Sequence, residues 1–419
     1  MPEIASLKEL APPLLVEARL ESHPLTDISG ETTAQLDRLF ANVPLTGKRV
    51  AVAVGSRGID QLPSIVRIVI ERLRSYGAEP FIFPAMGSHG GGTSEGQRTM
   101  LESLGVTPES AGAPIDSTME TIDLGLSSNG IRLVASRPAV EAAAILFINR
   151  IKPHTDFTST RQIGSGLRKM CLIGLGKIEG AFEYHRAARR LGFESMLIEV
   201  SNEITSRLPN IYGLGLIEDG YHRLGHIEGL TGAEFASREP ALFEMADRWM
   251  PRLPFQEVDV LIIDEIGKNI SGAGMDPNVT GRDIHGIPRP DRRTVINTIF
   301  VRDLTPESHG NAIGLGYADL VSARLVEGMD RHIAYTNSLS SMTPASVRIP
   351  MHFPTDEECL AAAVRMSGQT AAAARLVQVR NTLALDRLVV SEHYASEIAA
   401  RSDLTRLERL TSWDFNGLG

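Results

Sequence analysis

The apolar run from Ala144 to Asn149 leads directly into Arg150, Lys152, Pro153 and His154, and this junction constrains the chain more than any other stretch. A short apolar run bounded by charged and turn-forming residues predicts a buried strand. In open α/β sheets the ligand crevice lies beyond the carboxyl ends of strands, so an imidazole placed just after one has a physical reason to face substrate. The same pattern recurs upstream. Arg49 to Val54 runs into Gly55-Ser56-Arg57-Gly58, and Pro80 to Pro84 runs into Met86-Gly87-Ser88-His89-Gly90-Gly91-Gly92. Helices are expected over 62–76 and after Thr93. Strands are also expected over 120–124, 131–136 and 211–217, and helices over 180–191 and 193–208. Strand, glycine turn and helix in succession predict a largely parallel α/β sheet, with Arg57 and His89 following neighbouring strands.

At 419 residues the chain is long for a single core, which predicts two domains. The proline-punctuated segment Trp249-Met250-Pro251-Arg252-Leu253-Pro254 reads as the linker. The expectation is therefore an N-terminal α/β domain over 1–253, a C-terminal α/β domain over 254–419, and a ligand cleft between them. The second domain opens with Val258 to Ile263, followed by Asp264-Glu265-Ile266-Gly267-Lys268-Asn269 and a polar loop from Ser271 to Asn278. Runs at 294–301 and 312–315 and a helix over 317–327 continue the pattern, and the tail from Ser391 reads as helical. Residues 1–45 show no strong pattern and are expected to give a strand or two with turns.

A hydrophobic fraction of 42% and a charged fraction of 22% describe an ordinary soluble globular chain. The net charge of -9 argues against nucleic acid or an anionic membrane surface as the main partner. Within that acidic background Arg150, Lys152, Arg161, Arg168 and Lys169 form a basic island suited to a small anion. Gly164, Ser165 and Gly166 would let the backbone approach such an anion closely. Cys171 and Cys359 fit no Cys-x-x-Cys pattern, so neither a disulfide framework nor a thiolate zinc site is indicated. The N-terminus lacks a signal-peptide pattern and no stretch approaches a spanning helix, so a cytoplasmic location is expected.

Four segments, in order, carry a resemblance to a known family. They are Gly87-Ser88-His89, Pro153-His154, the turn Gly164-Ser165-Gly166-Leu167-Arg168-Lys169, and Tyr184-His185-Arg186. In these the chain resembles the nickel-pincer nucleotide-dependent lactate racemases and their 2-hydroxyacid racemase and epimerase relatives. The resemblance implies isomerisation of a small anionic hydroxyacid by reversible hydride transfer to the cofactor's pyridinium ring. It gives His89 and His154 the roles of alternating general base and acid, and His185 that of nickel ligand. Lys169 would tether the cofactor, Arg168 and the glycine turn would meet its phosphate, and Arg57 would contact the substrate oxygen. Lys268 is the weaker match, to a second-domain lysine. The enzymes that synthesise the cofactor are implied partners.

The chain departs from the family at three places. Val54 replaces an acidic residue, Gly90-Gly91 replaces Arg-Pro, and the gap between His154 and Lys169 is longer. A separate branch is expected, with a substrate other than lactate and bulkier or more polar.

Taken residue by residue, without the resemblance, each group has an ordinary alternative: strand-end or surface histidines, a loop lysine, an arginine paired with a surface carboxylate. Three rival functions follow. Gly174-Leu175-Gly176-Lys177-Ile178-Glu179-Gly180 hints at a dinucleotide site, but its spacing is one residue too long. A zinc or manganese hydrolase or lyase would use His89, His154, Asp156 and Asp276. A non-catalytic small-anion binding protein would need only the cleft.

Overall fold

The computed structural model describes residues 7–154, 163–208, 210–282, 294–415 and 418. Arg161 and Asp156 lie outside them. The chain is α/β and divides into two compact units, one of residues 21–250 and the other of residues up to Leu20 together with Pro251 onward. Its strands are β1 Pro13–Ala18, β2 Arg49–Val54, β3 Glu79–Pro84, β4 Thr121–Leu126, β5 Arg132–Ser136, β6 Ala144–Arg150, β7 Ile211–Glu218, β8 Leu224–Thr231, β9 Glu257–Ile266, β10 Val295–Leu304, β11 Leu320–Ser322, β12 Met351–Phe353, β13 Leu376–Val379, β14 Arg387–Ser391 and β15 Leu404–Arg409.

The 21–250 unit is built on a sheet of order β3-β2-β6-β7-β8, parallel except where β8 runs back against β7. Its strands are covered on both faces, which explains why they read as continuous apolar runs. Ala51, Ala53, Phe81, Phe83, Ile145 and Phe147 pack into one core, while Val50, Val52, Val54, Ile82, Leu146 and Ile148 pack into the other. Helix Leu62–Ser75 closes the second core with Ile65, Val66, Val69, Ile70 and Leu73, a helical stripe. Helices Lys177–Leu191 and Phe193–Arg207 close the first.

The other unit carries an eight-stranded sheet of order β12-β11-β10-β9-β13-β14-β1-β15. Strands β9 to β13 run parallel to one another, and β14, β1 and β15 are each antiparallel to their neighbours. This corrects the expectation that residues 1–253 form one domain. The segment Pro13-Leu-Leu-Val-Glu-Ala bonds on both edges, to β14 and to β15, and buries Leu14 and Val16 completely, so it belongs with the later residues.

Other local readings also change. Within residues 1–45 a helix forms at Ile28–Phe40, where Asp27 accepts a hydrogen bond from Gly30 N and Leu36, Leu39 and Phe40 face inward. The 312–315 run is a turn, not a strand, and the expected 317–327 helix is split into β11 and a short helix Ala323–Glu327. The tail forms helix Ala395–Ala400 and then strand β15, whose outward residues are too polar to reveal it. Among the described residues no helix is long and apolar enough to cross a membrane. Both cysteines are buried and unpaired with each other.

Leu14→Ala removes a fully buried side chain from a strand bonded on both sides. It is expected to cost about 2–5 kcal/mol, read as a lower urea midpoint. A loss under about 1 kcal/mol would show that β1 is peripheral to its unit.

Candidate active site

The chain passes from β2 to β3 on one side and reaches β6 on the other, so strand order reverses between β2 and β6. Such a reversal opens a crevice beyond the carboxyl ends of the strands. Arg57 follows β2, His89 follows β3 and His154 follows β6, which brings three predicted residues to one end of the sheet. Gly55 lies against Asn149, whose Oδ1 would stand 3.4 Å from an added Cβ. Ser56 Oγ lies 3.2 Å from His89 Nδ1. That nitrogen also donates to Met86 O at 2.8 Å, and since a carbonyl only accepts, Nδ1 carries a proton.

Arg57 keeps an exposed side chain, yet desolvation by the surrounding protein and the charge of Arg150 both lower its pKa. Arg150 is paired with Glu218 at 2.5 Å, whereas Arg57 has no carboxylate partner among the described residues. A guanidinium in that position suits an anionic group.

His154, Lys169 and His185 converge on one ring. His154 is buried and stacks on Phe193 with centroids 5.4 Å apart. Lys169 Nζ lies 2.5 Å from His154 Nε2 and 6.0 Å from the centre of the same ring. His185 meets the ring from a third direction at 6.3 Å. Its Nδ1 donates to Ala181 O at 2.6 Å, one turn back in the helix, which orients Nε2 as the nitrogen able to bind a metal. The motifs do not include Phe193. Its place as the first residue of the helix after Gly192 was the available signal.

The glycine turn works differently from the expectation. Lys152 and Ser165 exchange two backbone hydrogen bonds of 2.8 Å, which folds the chain back on itself. Gly164 and Gly166 then lie against one face of helix Phe235–Trp249. A Cβ on Gly164 would meet Phe243 at 2.2 Å, and one on Gly166 would meet Glu239 Oε1 at 2.0 Å. Glu239 accepts from Leu167 N at 2.5 Å and from Arg168 N at 3.3 Å, so the turn is already occupied by a carboxyl group that the chain itself supplies. Arg168 is also engaged elsewhere. Its guanidinium is buried and donates to Ser201 Oγ, Asn202 Oδ1 and Ile198 O. It therefore does not stand at the turn to meet a phosphate, and burial lowers its pKa.

Gly90 and Gly91 also separate in role. A Cβ on Gly90 would come within 2.5 Å of the Gly96 backbone, whereas one on Gly91 meets nothing within 4 Å. Gly90 thus permits loop packing, and only Gly91 leaves space. Lys268 belongs to the other unit, where Nζ donates to Gly272 O and Asn337 Oδ1. Asp276 is in that unit too, capping the short helix Pro277–Thr280. Among the described residues no group of three or more His, Cys, Asp or Glu is arranged to hold a metal ion. The rival dinucleotide glycines fall in a π-helical turn Met170–Gly174 and the start of the next helix, with no strand before them.

Burial pushes the Glu239 carboxyl up to about 7 from an ordinary 4.5, against the pull of the Arg168 and Leu167 N–H groups. Below the unfolded value the group is protonated in both states. As pH rises toward 7 the unfolded chain loses its proton first, so this group lowers stability across that window and adds nothing further above it. Glu239→Gln keeps an acceptor oxygen. It is expected to remove on the order of 3 kcal/mol of that fall, from the linkage relation. Urea titrations of both proteins at each end of the window check this; identical pH dependence would refute it.

No protein-family model matches the chain, and no curated protein matches it in sequence. Among solved structures, it is similar to a protein from Thermotoga maritima, with 16% identity over 68% of this chain and 72% of that one, at a TM-score of 0.49. It is also similar to the lactate racemase apoprotein from Thermoanaerobacterium thermosaccharolyticum. That match has 13% identity over 87% of this chain and 88% of that one, at a TM-score of 0.43. Activity does not travel with fold at such identities, so function has to be sought in the residues themselves.

Proposed function

We propose that the chain is a nickel-pincer nucleotide-dependent isomerase that racemises or epimerises a 2-hydroxyacid at its α-carbon. The observation that carries this reading is the convergence of His154, Lys169 and His185 on Phe193. Three residues singled out by motif, on three separate segments, meet at one ring.

The residues fit the cofactor in part. His185 offers an oriented imidazole nitrogen, a donor that suits nickel. Lys169 offers an amine beside His154, where a tether would replace an ammonium with a neutral thioamide and remove a positive charge from beside Nε2. Arg168 and the N–H groups of Leu167 and Arg168 are already engaged within the protein, which supports the cofactor less than His185 and Lys169 do. When bound, the cofactor supplies a pyridinium ring able to take hydride from the α-carbon and return it.

The chain's own groups manage the proton and the charge. His89 leaves β3 and His154 leaves β6, on opposite sides of β2, so a hydroxyacid lying beyond β2 meets one imidazole from each side. Each can take the hydroxyl proton or give it back, the exchange needed for both stereochemical directions. Arg57, at the end of β2, balances the carboxylate or the oxygen that loses its proton.

Metal content and intact mass should be measured on protein produced together with the cofactor-synthesis enzymes, for wild type, Lys169→Ala and His185→Ala. Near-stoichiometric nickel is expected in the wild type, with a mass adduct lost in Lys169→Ala and nickel depleted in His185→Ala. With a racemised hydroxyacid identified, His154→Ala is expected to lower kcat by about 10²–10⁴-fold while nickel is retained. Wild-type turnover in that variant would sink the assignment. Zinc or manganese without an adduct would favour a hydrolase or lyase, and no metal a binding protein.

A further inference from the structure

Behind the His89 loop lies a buried polar clamp that none of the four family-like motifs includes. Lys177 begins helix Lys177–Leu191 with a left-handed φ of 56°, which a lysine rarely adopts, and its side chain is fully buried. Its ammonium donates to Pro84 O, at the end of β3, at 2.9 Å and to Gln97 Oε1 at 3.3 Å. Gln97 is also fully buried, on helix Ser94–Ser103. Its amide nitrogen points the other way and donates to Gly87 O at 2.9 Å and His89 O at 3.4 Å. An ammonium only donates, so Gln97 must turn its oxygen to Lys177 and its NH2 to the loop. The lysine thereby fixes the direction of the amide.

The loop has a physical need for such a clamp. Gly87, Gly90, Gly91 and Gly92 all have positive φ, and glycine has little intrinsic preference among backbone conformations. A buried ammonium is costly to keep, and burial lowers the Lys177 pKa to about 8 with only partial relief from Asp116. Its retention there is explained by what it holds.

We propose that Lys177 and Gln97 are positioning residues for His89, fixing the carbonyls of Pro84, Gly87 and His89 so that the ring turns Nδ1–H onto Met86 O and presents Nε2 as its basic nitrogen. The importance of this rests on His89 being an acid–base group of the proposed isomerase. The clamp itself can be tested without turnover.

The test is nitrogen NMR of histidine-labelled protein without substrate, above the histidine titration, with the His89 signals assigned from His89→Gln. In the wild type, His89 is expected to carry its proton on Nδ1. In folded Gln97→Met and Lys177→Met, checked by circular dichroism, the Nε2–H form favoured by a free side chain is expected to become the major one. A folded Gln97→Met protein with the wild-type tautomer would overturn the proposal, and so would a wild type protonated on Nε2. If Lys177→Met does not fold, Gln97→Met decides alone. Failure to racemise any hydroxyacid would count against the proposed function and leave this result standing.

Discussion

Two backbone hydrogen bonds between Lys152 and Ser165 determine whether residues fifteen apart in sequence can meet. His154 is placed by strand β6 and Lys169 by the turn after Gly166, and nothing in either element alone sets the distance between them. The reciprocal pair does so by bringing the chain back beside its own outgoing path. Asn149 reinforces it from the end of β6 by donating to Gly166 O. The carboxyl end of β6 and the turn thus form one unit, against which Phe193 and His185 are packed.

That return path is held by a carboxyl group buried inside the protein. Glu239 reaches the N–H groups of Leu167 and Arg168 from helix Phe235–Trp249, and Phe243, one turn further along, fills the space over Gly164. The glycines are needed because a helix face lies where side chains would project. Lys177 does a comparable job behind the neighbouring loop, with the opposite charge and with carbonyls as its targets. Both ionisable groups are shifted toward their neutral forms, the expected direction for groups with little water around them.

The sequence was most legible where periodicity and burial coincide. Strands β2, β3, β6 and β7 are apolar because both faces are covered, and their ends could be placed to within a residue or two. The strand-end positions of His89, His154 and Arg57 were legible because each follows such a strand. Less legible was anything decided by distant pairing. β1 and β15 join the same sheet although about the whole chain separates them, and β15 exposes nearly all of its side chains, so no alternation marks it. The partner of the glycine turn is hidden for a related reason. Gly-Ser-Gly followed by Arg-Lys has the composition of an anion loop, but the carboxyl of a glutamate some seventy residues later occupies its N–H groups. Phe193, Gln97 and Lys177 stayed hidden because an aromatic, an amide and a lysine on helices have many ordinary uses.

The pairing of β1 also has a consequence for how the chain is made. β1 emerges from the ribosome about 370 residues before its two neighbours, β14 and β15. The intervening 21–250 segment is a compact unit with its own sheet and cores, able to fold while the rest is still being translated. At about 5–20 residues per second, Pro13-Leu-Leu-Val-Glu-Ala therefore waits on the order of tens of seconds with both hydrogen-bonding edges unsatisfied. During that interval an apolar strand is open to capture by any other exposed edge, so nascent chains, more than finished molecules, are where this fold is vulnerable to aggregation.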